Sequence, residues 1–139
     1  MEFQIAEILK NIKKTEIRTM DQIRERREGI IDNIIEDFMC YPNNEGKADL
    51  LKEELDEYEY IEFNDIYKYD TIKILNMNRF FDLSTITGVC ISKKDDKIKI
   101  RNKSNKYRFI KSEHYFRKLT NQDLVKISLI ESLYNNTKN

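Results

Sequence analysis

Residues able to carry chemistry are few in this chain. Its one histidine, His114, sits in Lys111-Ser112-Glu113-His114-Tyr115, which matches no nucleophile signature, and reads as a structural or surface residue. The two cysteines, Cys40 and Cys90, are far apart in the sequence. A structural zinc site needs four nitrogen or sulfur ligands at close paired spacings, and this inventory cannot supply them. A magnesium site asks only for one or two carboxylates plus a phosphate ligand, so the acids leave that route open. The glycines, Gly29, Gly46 and Gly88, are too scattered for a phosphate-cradling loop or a dinucleotide fingerprint. Acids crowd the run Glu53-Glu54-Leu55-Asp56-Glu57-Tyr58-Glu59. Acid–base catalysis, however, needs two carboxyls in different environments, one of them buried. A dense run reads instead as a solvated helix face. A non-enzymatic protein is expected, with no catalytic residue, metal or cofactor.

The placement of charge is the strongest signal. Residues 45–66 hold nine acids against two bases, and residues 93–118 hold eleven bases against three acids. In the basic stretch Lys97, Lys99 and Arg101 alternate with Ile98 and Ile100, and Lys103, Lys106 and Arg108 follow. These six are the candidate nucleic-acid contacts. Tyr107, Phe109, Tyr115 and Phe116 are aromatic surfaces on which bases can stack. In the acidic stretch Glu53, Glu54, Glu57, Tyr58, Tyr60 and Glu62 form the candidate protein-binding surface, because tyrosine gives contact area at low entropy cost. The formal net charge is zero, so long-range attraction to polyanions gets no help from the total.

Isoleucine, lysine and asparagine are abundant, while alanine, glycine, proline and tryptophan are scarce. That bias favours A/T-rich codons and points to a low-GC genome, including its phages and mobile elements. The leading expectation is a small intracellular accessory or inhibitor of that origin, binding a host or defence protein. The alternative is an RNA- or DNA-binding module using 93–118.

The length of 139 residues and an apolar fraction of 40% suit one domain, 1–139, with one real core. The stretch Met1-Glu2-Phe3-Gln4-Ile5-Ala6-Glu7 has acids where a signal peptide needs a basic start. No run approaches the ~18 apolar residues of a membrane helix. A cytoplasmic protein that avoids membranes, with both cysteines free, is expected.

The elements positioning these residues read as α+β. Apolar stripes at helical spacing predict helices at about 3–14 (Ile5, Ile8, Leu9, Ile12), 20–39 (Ile23, Ile30, Ile31, Ile34, Ile35, Phe38) and 47–58 (Leu50, Leu51, Leu55). Thr19 with Gln22 fits a capping box. Arg27 falls where the second stripe calls for an apolar residue, and reads as a solvated turn or a contact point. The Ile-rich stripe has two possible partners, its own core or a second copy. Strands are expected near 60–63 and 69–75. A three-stranded antiparallel meander follows over about 85–111, turning at Lys93-Lys94-Asp95-Asp96 and at Asn102-Lys103-Ser104-Asn105. Thr120 with Asp123 caps a last helix at about 121–135, beyond which the tail should fray. Helices first, then a small antiparallel sheet, then a covering helix make an α+β domain.

Overall fold

The computed structural model describes residues 19–37, 44–77, 82–112 and 114–138, with side chains of the last helix through residue 133. The expected helix at 3–14, Phe38 and Cys40 lie outside the described residues. The α+β architecture is as expected: the described residues form three α-helices and a six-stranded antiparallel sheet.

Helix α1 spans Met20–Asp37, α2 Lys47–Glu54 and α3 Asn121–Lys138. The strands are β1 Tyr58–Ile61, β2 Thr71–Met77, β3 Leu83–Lys94, β4 Lys97–Arg101, β5 Tyr107–Ile110 and β6 Tyr115–Lys118. Their order in the sheet is β1-β6-β2-β3-β4-β5. The meander is therefore β3-β4-β5, and the last strand in sequence is inserted between the first two.

Both caps form as the sequence implies. Gln22 N–H donates to Thr19 Oγ1 at 3.2 Å, and Thr19 N–H to Gln22 Oε1 at 2.9 Å. At α3, Asp123 N–H donates to Thr120 Oγ1 at 3.1 Å, and Thr120 N–H to Asp123 Oδ2 at 2.8 Å. Each pair satisfies backbone donors that a helix start leaves free. The helix α3 continues through Lys138, past the point where the tail should fray.

Two faces of the sheet are buried differently. On one, Leu75, Leu83, Tyr58 and Phe116 pack beneath Ile31, Ile34 and Ile35 of α1 and Leu51 of α2. The stripe of α1 is thus buried in the chain's own core, not held out for a second copy. On the other face Ile72, Ile74, Cys90, Ile98, Ile100, Ile110 and Tyr115 gather around Ile66, which the short 3-10 turn Phe63–Asp65 carries onto the sheet. Cys90 is free and buried among them. Burial pushes its thiol pKa up, which suits an inert core thiol.

Three expectations need correction. Helix α2 stops at Glu54 rather than running to 58, because Tyr58–Ile61 pairs with β6 and the connecting turn is gripped from above. The gripping residue is Arg27, which is neither solvated nor a contact for a partner. It is 2% exposed and donates to the carbonyls of Asp56 at 2.9 Å and Tyr58 at 3.0 Å. The third is β6, in a stretch between the meander and the last helix where no element is expected. Its Tyr115 and Phe116 are both buried, on opposite faces. A strand covered on both sides loses the alternation that marks a half-buried one.

Candidate basic and aromatic surface

The alternation of β4 holds. Ile98 and Ile100 are buried, while Lys97, Lys99 and Arg101 take the opposite face. Strand β5 pairs with it in the register Lys99↔Phe109 and Arg101↔Tyr107, so those aromatics share the outer face with the cations. Tyr107 is 57% and Phe109 59% exposed. The Lys99 ammonium sits 4.8 Å from the Tyr107 ring centroid and 5.6 Å from that of Phe109, within cation–π range. Lys103 and Lys106 are exposed in the turn between these strands, whereas Arg108, though exposed, pairs with Ile100 and so lies on the opposite face from Tyr107 and Phe109. That turn is fixed by Asn102, whose side-chain carbonyl accepts from the Ser104 and Lys106 amides at 2.9 and 3.0 Å.

Among the described residues, none of the six candidate cations forms an ion pair within 4.0 Å. The acid Asp96, at the hairpin tip beside them, is held by Lys111 at 2.8 Å. The hydrogen bond from Lys111 lowers its carboxyl pKa. The surface therefore keeps its positive character at close range. Of the other aromatics expected to offer stacking surface, Tyr115 and Phe116 are core residues.

The acidic candidates fare differently. Tyr58 is buried, and burial with the nearby Glu57 and Glu54 charges raises its phenol pKa. Tyr60 is half-buried, its ring edge-on to Phe116 at 5.7 Å between centroids, with Arg26 stacked 5.2 Å away. Glu54 accepts from Lys73 at 3.3 Å and from the Thr85 hydroxyl. Glu62 meets Arg26 at 3.6 Å. Glu59, the last acid of the run, is 5% exposed, contrary to a wholly solvated face, and accepts from Arg117 Nε at 3.1 Å. Arg117 also reaches Asp123 at 3.2 Å. Of the six candidates, only Glu53 and Glu57 remain exposed with no side-chain hydrogen bond or ion pair among the described residues.

No family model, curated protein or solved structure matches this chain.

Sequence reasoning named the cations of this surface but left Tyr107 and Phe109 divided between core and surface. Their position in the alternation was the available signal: each is one step out of phase with Ile110, the β5 residue that is buried. His114 is half-buried beside Tyr60, 6.5 Å between ring centroids, and its carbonyl accepts from Leu75 N–H at 3.2 Å. Among the described residues no three His, Cys, Asp or Glu side chains group as metal ligands. No helix among them is long and apolar enough to cross a membrane.

Proposed function

We propose that this protein is a non-enzymatic binding module whose outer β4–β5 face takes single-stranded nucleic acid. One observation carries the reading: Tyr107 and Phe109 stand exposed in register with Lys99 and Arg101 on an edge of the sheet. Every base has a π-face, so exposed rings give sequence-tolerant stacking, and flanking cations follow the phosphates. A large apolar ring left in water returns nothing to the core, which makes its exposure on a cationic face informative. A reducing intracellular setting belongs to the same proposal, in keeping with a free buried thiol at Cys90.

The test is fluorescence anisotropy with single-stranded RNA and DNA at low and moderate salt. Phosphate contacts make affinity fall steeply as salt rises. Replacing Lys97, Lys99 and Arg101 with Glu should abolish binding, and Tyr107→Ala should weaken it about tenfold. No binding at low salt would sink the proposal.

A protein partner is the second reading, and it was the leading one from sequence. It rests on a shallow groove of about 520 Å³ between α2 and β3, lined by Leu50, Leu51, Glu53, Glu54 and Leu83. Leu50 is exposed at its lip. A basic segment with an apolar anchor is the complementary partner. Pull-down from a low-GC host lysate with wild type and Glu53→Lys/Leu50→Asp distinguishes this case. A stoichiometric partner lost in the variant supports it, and equal recovery removes it.

A further inference from the structure

Tyr69 has a backbone φ of +75°. That region is disfavoured for any residue with a Cβ, and Asn, Asp and Gly are its usual occupants. The other two non-glycine residues with positive φ among those described are Asp95 and Asn105, both in turns of the meander. A tyrosine is the exception, and its conformation is pinned. Tyr69 N–H donates to Cys90 O at 2.7 Å, Cys90 N–H to Asp70 O at 2.9 Å, and Tyr67 N–H to Asp70 Oδ2 at 2.8 Å. The ring that this backbone presents is 66% exposed and so contributes little to the core. It lines a shallow cavity of about 330 Å³ with Thr71, Lys118, Leu119 and Thr120. Strained backbone that displays rather than buries a side chain is a mark of function.

The sheet register shows what lies across the sheet from Thr71, two residues beyond Tyr69. Thr71 pairs with Val89, Val89 with Arg101, and Arg101 with Tyr107. Ile72 pairs with Arg117, which sets Lys118 beside Thr71 in the same row. Lys118 and Tyr107 are exposed, and Thr71, Val89 and Arg101 are half-buried. An open row thus crosses the sheet from Lys118 to Tyr107, on the face that carries Lys99 and Phe109. Tyr69 precedes β2 by two residues and lines the cavity beside Thr71 and Lys118 of that row, and three interstrand steps of about 4.8 Å separate β2 from β5.

We infer that Tyr69 is a second stacking residue of the same nucleic-acid surface, with the bound strand crossing β2, β3, β4 and β5 between Tyr69 and Tyr107. The inference rests on the reading given under Proposed function. Arg101 lies within the row and Lys118 beside Tyr69, so positive charge accompanies the path from ring to ring. The small side chains of Thr71 and Val89 leave the middle of the row low. A strand of a few nucleotides spans the distance, within the site sizes that sheet-based single-strand binders use.

The length of the bound strand is the probe. Anisotropy is measured with pyrimidine oligonucleotides of about three and about ten nucleotides, as RNA and as DNA, bracketing the usual site size. Tyr69→Asn removes the ring while keeping a residue that tolerates positive φ, and Tyr69→Phe keeps the ring. Tyr69→Asn should weaken the longer oligonucleotide about tenfold in at least one of the two polymers, leave the trinucleotide unchanged, and retain the wild-type melting temperature. Tyr69→Phe should bind as wild type. The polymer showing the loss is the one this row takes. Unchanged affinity of Tyr69→Asn for both longer oligonucleotides, or an equal loss at both lengths, overturns the inference. In either case a loss in Tyr107→Ala leaves the β4–β5 reading standing, whereas no loss there removes the parent reading as well.

Discussion

Residues 53–62 and residues 97–108 are equally conspicuous as runs of charge, yet the fold treats them in opposite ways. The acidic run is partly absorbed, with Glu53 and Glu57 left exposed. Glu54, Glu59 and Glu62 meet Lys73, Arg117 and Arg26, and the backbone carbonyls of Asp56 and Tyr58 are gripped by Arg27. The basic run is left open: among the described residues Lys97, Lys99, Arg101, Lys103, Lys106 and Arg108 form no ion pair, and two exposed aromatic rings stand among them. Density of charge in a sequence therefore does not mark an interface. What matters is whether the fold brings an opposite charge within reach. For the acidic run it does so with groups from α1, β2 and β6. The basic run sits on an edge strand and its neighbour, where only β3 adjoins on the inner side.

The largest effect expected from breaking this contrast is at Arg27. Arg27→Ala leaves two carbonyls without their buried donor and opens a cavity, and should lower unfolding free energy by about 3–5 kcal/mol in urea denaturation. Its exposed neighbour is the control: Arg26→Ala should stay within about 0.5–1 kcal/mol. Equal effects would mean that Arg27 is not the anchor of the acidic run.

The open side has its own structural dependence. A Cβ at Gly88 would lie 2.8 Å from Ile100 Cδ1 and 2.9 Å from Ile100 Cβ, closer than real contacts allow. Gly88→Ala should cost about 1–3 kcal/mol through overpacking between β3 and β4. It should also reduce nucleic-acid affinity by displacing β4. A stability loss with wild-type affinity would separate the surface from the packing beneath it.

A smaller effect is expected from acid at Asp123, which shares Arg117 with Glu59 of the acidic run. Burial acts to raise the Asp123 carboxyl pKa, but the Thr120 backbone N–H and Arg117 outweigh it and hold the group below its ordinary value. A carboxyl depressed in the folded state adds stability above its unfolded pKa of about 3.9. That contribution is lost as pH falls through the lower folded value. Asp123→Asn should therefore cost about 1 kcal/mol near neutral pH, chiefly through the cap. The gap to wild type should close as pH is lowered past about 4. A gap independent of pH would assign the cost to shape rather than charge.

The smallest change in stability should come from the rings themselves. Tyr107→Ala and Phe109→Ala should each shift unfolding free energy by no more than about 0.5 kcal/mol, although both should lower nucleic-acid affinity. A loss of several kcal/mol at either position would make it a core residue and end the contrast.

Much of this was legible from local pattern. The capping box at Thr19, the N-cap at Thr120, the Lys97–Arg101 alternation and both meander turns follow from chemistry within a few residues, and each appears as expected. The candidate surface was half legible. Its cations were readable because Ile98 and Ile100 set the phase, whereas Tyr107 and Phe109 needed the pairing with β4 to show their side.

The class of the domain and the chemistry it lacks the residues for follow from residue types and short-range periodicity, since capping, turn propensity and alternation act between near neighbours. The fate of the charges was settled by assembly. Strand β6 enters between β1 and β2 from the far end of the chain and carries Arg117 to Glu59. Helix α1 brings Arg27 onto the turn before β1. Such contacts join residues far apart in sequence, and no local pattern encodes which distant strand will become a neighbour. The same assembly left β5 at an edge, with Tyr107 and Phe109 facing water.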